Sequence, residues 1–191
     1  MLLAVAVANC VLSANTEPGA RLYRPRPVVL CTDMDQEQSR ARTDALAFLK
    51  RNKTGILATV SKEWVPHASA VYYTADDDFN VYFLTLMSSR KYAALNAHPE
   101  VAFTIMREDV PQILQMEGTA MDISFAEEAK GKKEELFEVL NRNPFFYPPV
   151  AKLDPSESVI IWFKPKWIRW ADYAFAESGS EHVFKKIVIE L

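Results

Sequence analysis

The residues best placed to do chemistry are two hydroxyls and two cations in a row, Ser88, Ser89, Arg90 and Lys91. They follow the β-rich segment VYFLT and open a helical pattern that Pro99 closes, so they are expected in the first turn of a helix. That end of a helix is positive and normally favours acids. The two cations therefore either lie on a solvent-exposed face of the helix or form part of an anion-binding site. In an anion site, free backbone N–H groups, the arginine fork and the lysine charge would together bind a phosphate.

Composition and motifs exclude several other kinds of site. The chain has 191 residues, a net charge of -3 and no basic stripe, which argues against nucleic acid as a partner. Both cysteines, Cys10 and Cys31, lie near the start, and His67, His98 and His182 are far apart in sequence. Motifs for a P-loop, a dinucleotide fold, a zinc protease and a serine hydrolase are all missing. No metal site is predicted, and no catalytic side chain can be assigned.

The first 33 residues differ from the rest of the chain. An apolar run from Met1 to Leu12 is too short to span a bilayer, and a basic, proline-rich stretch follows it. We interpret 1–33 as a disordered or misannotated extension before a natural start at Met34, with a signal or anchor and an ordered extension as alternatives. The domain is then 34–191, and a cytoplasmic protein without a membrane partner is expected.

Hydrophobic periodicity after Met34 predicts many short strands and a few helices. A fold of this kind is mainly β, with short helices, and indicates a closed or split β-barrel whose edges pair with a second subunit. The predicted helices are 39–52, 89–98 (capped by Ser88 or Ser89) and 124–143 (opened by Ser124 and Glu127 at capping-box spacing). The predicted strands are 54–61, 67–75, 81–85, 101–106 and 112–123, followed by the β-rich segments SVIIWFKP, KWIRWADYAF and HVFKKIVIEL.

The stretch from Pro66 to Lys91 resembles the FMN-binding core of the pyridoxamine 5'-phosphate oxidase family. The match lies in a strand after a proline turn, a polar hairpin, the strand YFLT and the helix start SSRK, and NAHPEVAF and LQMEGTA are also similar. The resemblance covers 44–123 well and the C-terminal part loosely. It implies an FMN-binding split β-barrel, Greek-key-like and homodimeric.

The same resemblance implies a set of cofactor contacts. The arginine–lysine pair would hold the flavin phosphate, one strand would run along the flavin ring, and a glutamine would reach it from the partner subunit. Gln112 fits that glutamine, with Gln115 as the rival. The cofactor-binding residues implied are Ser69, Ala70, Val71, Tyr72, Leu84, Thr85, Ser89, Arg90, Lys91 and Gln112.

The chain also departs from the family pattern. Ser69 and Thr74 stand where the family has an arginine and a lysine, and an Arg-x-His element expected after a tryptophan (Trp167 or Trp170) is missing. The resemblance therefore implies an FMN-dependent oxidoreductase that transfers a hydride to or from a small molecule, but not a true pyridoxine phosphate oxidase. The alternative is a non-enzymatic flavin- or ligand-binding stress-type protein on the same barrel. A third class is haem binding, for which His67 and His182 are the candidate iron ligands.

Overall fold

The fold is a β-barrel with helices packed on it, seen in a computed structural model that describes residues 31–142, 157–179 and 183–189. The mainly β fold class expected from the sequence is confirmed. Among these residues, no helix combines the length and the hydropathy needed to cross a membrane. The helices are α1 Cys31–Arg51, α2 Arg90–Ala97 and α3 Lys132–Asn141. The strands are β1 Thr54–Val60, β2 Pro66–Ala75, β3 Val81–Leu86, β4 Glu100–Met106, β5 Gln112–Asp122, β6 Ser158–Asp172 and β7 Phe184–Ile187.

The sheet is antiparallel throughout and closes on itself. Its strand order is β3-β2-β1-β4-β5-β6-β7, and β3 also pairs with β6, so that β1 to β6 form a ring and β7 extends β6. Strands β1 to β3 make a meander and β4 returns beside β1, which is a Greek-key arrangement. Alternate side chains point inward. Leu57, Phe83, Phe103 and Phe163 are fully buried in the resulting core.

The ring is split between β2 and β3. These strands pair only at Tyr73↔Phe83, Thr74↔Tyr82 and Ala75↔Val81. Below Tyr73, β2 keeps its pairing with β1 along one edge, while the described residues place no strand along the other. The two strands therefore diverge and leave a gap bordered by backbone N–H and C=O groups. The chain continues from β3, on one side of this gap, into the turn before α2.

Helix α1 packs against the barrel core. It begins at Cys31 and ends at Arg51, where the sequence predicted 39–52. Ala45, Phe48 and Leu49 are buried, and the Tyr73 hydroxyl donates to the Leu49 carbonyl over 2.8 Å. Residues 1–30 lie outside the described residues, so the interpretation of 1–33 as an extension stays a prediction.

The C-terminal strands differ from the sequence expectation. SVIIWFKP and KWIRWAD form one strand, β6, instead of two, and Tyr173–Ser178 is a 3-10 helix. Pro165 has no backbone N–H to donate to a neighbouring strand, so its presence predicts the end of a strand. It is tolerated because the β5–β6 register shifts between Glu117 and Gly118, so that Lys166 has no counterpart on β5. Within 183–189, the described part of the last predicted strand, Phe184–Ile187 forms β7.

Helix α3 is shorter than predicted, and the expected capping box is wrong. The Ser124 hydroxyl donates to the Asp122 carboxylate over 2.6 Å and accepts from the Ile160 N–H, so it caps no helix. A 3-10 turn, Glu127–Ala129, comes first, and Gly131 (φ 75°) separates it from α3. The segment NPFFYPPV lies outside the described residues.

Helix α3 covers the outer face of the sheet beside the split. Leu136 of α3 and Ala129 pack with the outward side chains Tyr82, Leu84 and Ile160 in a second, smaller core. One outer wall next to the gap is therefore apolar and closed to solvent.

Candidate functional site

The turn from β3 into α2 is built by hydroxyl groups. Ser89 is the N-cap of α2, and its side chain accepts from the Tyr92 N–H over 3.1 Å. The Ser89 and Thr85 hydroxyls lie 2.9 Å apart, and Thr85 is buried. The predicted serine cap is thus confirmed at Ser89. These bonds fix the direction in which the first turn of α2 points.

The first turn of α2 has positive charge and no counter-charge. The N–H groups of Arg90 and Lys91 are at helix positions that have no intrahelical acceptor, and the first turn holds no acidic residue. Arg90 is exposed and Lys91 is half-buried. Burial lowers the pKa of Lys91 below its ordinary value of 10.5. Neither cation has an ion pair within the described part of the chain. A desolvated lysine at a helix N-terminus is an electrostatic environment that favours an anion.

The residues implied along the flavin ring lie on the edges of the split. Ser69, Ala70, Val71 and Tyr72 belong to the part of β2 that β3 does not pair with. Val71 points into the barrel core, Ala70 is exposed on the outer face, and Ser69 and Tyr72 are half-buried. Burial raises the pKa of Tyr72 above its ordinary value of 10.0. Because Val71 points inward, it can reach a ligand in the gap only through its backbone.

Leu84 and Thr85 border the gap from the other side. Both lie in the part of β3 that pairs with β6 but not with β2. Leu84 packs under α3, and Thr85 reaches the cap of α2. Nine of the ten residues named from the sequence thus lie on the two strand segments that border the split or at the helix start that follows β3.

Gln112 is the residue that the single chain does not bring to this place. It lies at the start of β5, with β1 and β4 between that strand and β2, and its side-chain amide donates to Asp172 over 2.7 Å. Its rival Gln115 accepts from Arg169 over 2.9 Å. A role for either glutamine therefore depends on a second subunit.

The two positions at which this chain lacks the family's cations, Ser69 and Thr74, differ in how exposed they are to solvent. Thr74 is 1% exposed, and its hydroxyl has no hydrogen-bond partner among the described residues. It pairs with Tyr82, whose ring carries the Lys132 ammonium 4.6 Å from its centre. A lysine at 74 would have to be buried beneath this covered face. Ser69, in contrast, is half-buried on the open edge.

A cleft that the sequence did not reveal lies beside this site. It has a volume of about 910 Å³ and runs between the β1–β2 hairpin and α2. Arg90 lines it, together with Lys62, His67 and His98. His67 is one of the two histidines that the sequence offers for haem. Lys62 and His98 carry no local signal, because only the folded chain brings the hairpin over the helix. His182, the other histidine considered for haem, lies outside the described residues.

The chain forms a closed antiparallel barrel that is split between its second and third strands, and a helix start with two cations follows the third strand. These features define the class of split-barrel proteins. The model of the pyridoxamine 5'-phosphate oxidase family matches residues 42–170, which is more than half of the chain. The chain belongs to this family.

Solved structures are similar to the chain in fold. A conserved hypothetical protein from Mycobacterium tuberculosis has a TM-score of 0.57 and 21% identity, covering 71% of this chain and 86% of that one. An F420 reductase has a TM-score of 0.51 and 24% identity, covering 64% and 93%. An FAD-binding protein from Mesorhizobium loti has a TM-score of 0.53 and 16% identity, covering 66% and 88%. No curated protein is similar enough to count as a match.

Proposed function

We propose that this chain binds a flavin, FMN, in the split between β2 and β3 and acts as a flavin-dependent oxidoreductase on a small molecule. The observation that carries the proposal is the helix start of α2. There Lys91 is half-buried, neither Lys91 nor Arg90 has an ion pair within the described residues, and their backbone N–H groups have no intrahelical acceptor. The names of two structural relatives, an F420 reductase and an FAD-binding protein, are consistent with a flavin.

The residues of this chain have binding and positioning roles in the proposal. When bound, the flavin supplies two-electron chemistry, so no side-chain nucleophile is needed. The start of α2 holds its phosphate, through Ser89, Arg90 and Lys91. The open edge of β2 between Ser69 and Tyr72 offers backbone groups to the ring, and α3 keeps water from the neighbouring outer face.

The proposed assembly is a homodimer. A second subunit is the simplest way for Gln112 to reach the split, since its own chain holds it on the far side of β1 and β4. In a symmetric dimer the same surface serves both copies, which gives two equivalent sites. A small-molecule substrate and a cytoplasmic location complete the proposal.

A second function is favoured by one observation. The cations missing at Ser69 and Thr74 leave fewer charges for an anionic cofactor, and Thr74 is 1% exposed. The alternative is a ligand-binding stress-type protein without turnover. A protein that retains FMN, yet whose flavin is not reduced by NADH or NADPH under anaerobic conditions, fits this alternative. A yellow protein reduced by either donor fits the enzyme, and a Soret band on adding haem contradicts both.

The proposal is tested by the double variant Arg90→Ala with Lys91→Ala. Each charge-assisted hydrogen bond contributes about 1.5–3 kcal/mol, so FMN affinity should fall by about 100-fold or more while riboflavin affinity changes little. Fluorescence quenching measures both affinities, and circular dichroism checks the fold. The matched control is Lys164→Ala with Lys166→Ala, which removes two exposed cations from β6. Unchanged FMN affinity in the first variant contradicts the role of the helix start.

A further inference from the structure

One face of α2 forms the floor of the cleft between the β1–β2 hairpin and this helix. Three small side chains and one arginine line it at helical spacing: Ala93, Ala94, Ala97 and Arg90. With a rise of about 1.5 Å per residue, the lining from Arg90 to His98 is about 12 Å long. Alanines leave open the space that longer side chains would fill. A volume of about 910 Å³ is of the size that binds small ligands.

The walls of the cleft carry unpaired donors. Lys62 and His67 from the hairpin, and Arg90 from the helix, have no hydrogen bond or ion pair within the described ranges. The Nε2 atom of His98 is buried and also has no partner there. The one acid in the lining, Glu63, already accepts a hydrogen bond of 3.0 Å from the Ser61 hydroxyl. The free groups are therefore mainly donors and cations, which suit an anion.

The hairpin holds the far end of the cleft in a defined position. The Trp64 ring lies over the His98 ring, with centroids 4.3 Å apart. Trp64 has φ 63°, a backbone conformation that residues other than glycine rarely adopt. Trp64 is also 73% exposed. The Ser61 hydroxyl accepts from the Glu63 and Val65 N–H groups and stabilises this turn. The position of the wall is thus built into the hairpin.

Arg90 and Lys91 face different surroundings. Arg90 lines the cleft, whereas Lys91 is not part of its lining and is half-buried. Neighbouring residues on a helix point about 100° apart, so the two cations are suited to two anionic groups. In the proposed arrangement, Arg90 lies between the cofactor phosphate, which it binds together with Lys91, and the cleft that it lines.

We propose that this cleft is a second anion subsite, which binds a phosphate or carboxylate group through Lys62, His67 and Arg90. The inference rests on the proposed function for the neighbouring cofactor phosphate. The anionic group has two possible sources: an extension of the cofactor beyond its first phosphate, or a separate anionic substrate. The chemistry recognised is the same in both cases.

The test uses the full chain with Lys62→Ala and His67→Gln combined, and Lys166→Ala as a control for lost surface charge. Affinities for FMN, FAD and inorganic diphosphate are measured by calorimetry. The cleft variant should bind FMN as the wild type does, because neither residue belongs to the phosphate site. Its affinity for the ligand that occupies the cleft should fall by about 10-fold or more, the size expected for losing a charged donor.

The ligand that responds identifies the source. If FAD binds more tightly than FMN and the cleft variant removes that difference, the cofactor extension occupies the cleft. If diphosphate binds to the FMN-loaded protein and the variant weakens it, a separate anion does. If FAD and FMN bind equally and diphosphate affinity is the same in the variant and the wild type, the subsite is overturned. Diphosphate is also measured without flavin, so the cleft is tested even if no flavin binds and the proposed function fails.

Discussion

At the scale of single residues, the environment of Lys91 is the most informative about the candidate site. A lysine normally extends its charged end into water, and half-burying it without a counter-charge is unfavourable. Folding therefore disfavours the charged form of Lys91 in the free protein, as its lowered pKa expresses. A bound phosphate would compensate this cost. The sequence could indicate the cation at the helix start, but not its burial, which depends on how α2 packs.

The lowered pKa of Lys91 predicts a pH dependence of FMN binding. As pH rises toward the ordinary value of 10.5, Lys91 loses its proton earlier than a solvated lysine, so the charge that holds the phosphate disappears. FMN affinity should therefore fall in the alkaline range below 10.5, and FMN binding there should take up protons. Riboflavin, which has no phosphate, should lose affinity less steeply than FMN, because only ionisation of the flavin ring that the two ligands share affects it. Parallel pH profiles for the two ligands would contradict a charged Lys91 at the phosphate.

At the scale of secondary structure, local signals predicted some elements and missed others. The strands up to β5 and helix α2 follow alternation, turns and a serine cap, all of which lie within a few residues of one another. The prediction of a break at Pro165 was wrong, because the accommodating register shift is on β5, far away in sequence. The predicted start of the third helix at Ser124 was wrong, because the Ser124 hydroxyl bonds to Asp122 and Ile160 instead of capping a helix.

The candidate site was predictable to a similar extent. The helix start at Ser89 could be identified because its cap and charges are consecutive in the sequence. The resemblance to a family added the strand from Ser69 to Tyr72, which no local pattern marks. The cleft lined by Lys62 and His98 could not be found, since it exists only where a hairpin lies over a helix.

The register shift between β5 and β6 predicts that Gly118 tolerates no side chain. A Cβ atom there would meet the Lys164 carbonyl oxygen at 2.1 Å and the Pro165 Cα at 2.8 Å, both backbone atoms that cannot rotate away. Gly118→Ala should lower the free energy of unfolding by about 1–3 kcal/mol or more. Urea denaturation measures this change.

The matched control for that prediction is Gly131→Ala. A Cβ at Gly131 meets nothing within 4 Å, and only its φ of 75° is unfavourable, at about 1 kcal/mol. Equal stability of the two variants would mean that the backbones of β5 and β6 move apart at little cost.

At the scale of the whole molecule, the outer face of β1, β4 and β5 is the surface best suited to a second copy. Ile56 and Met106 are 47% and 67% exposed, and they lie among small outward side chains such as Ala58 and Ala102. Flat sheet surfaces with exposed apolar side chains commonly bind a partner. This surface lies between β2 and Gln112, which the proposed dimer must bring together.

The proposed dimer predicts the effect of Ile56→Asp. A buried, unpaired carboxylate is costly, so the variant should shift the protein from dimer to monomer. It should also weaken FMN binding if Gln112 reaches the partner's split. Light scattering after size-exclusion chromatography measures the mass. Val188→Asp, at an exposed apolar residue next to β7, is the control and should stay dimeric. A monomeric wild type would contradict the assembly.

The place of β6 in the ring has a consequence for synthesis of the protein. Both β3 and β5 pair with Ser158–Asp172, which is synthesised after both of them. A nascent chain still missing that segment on the ribosome has two unsatisfied strand edges, and such edges readily pair with other polypeptides. Slow translation or premature termination before residue 158 should therefore yield aggregates, whereas completed chains fold.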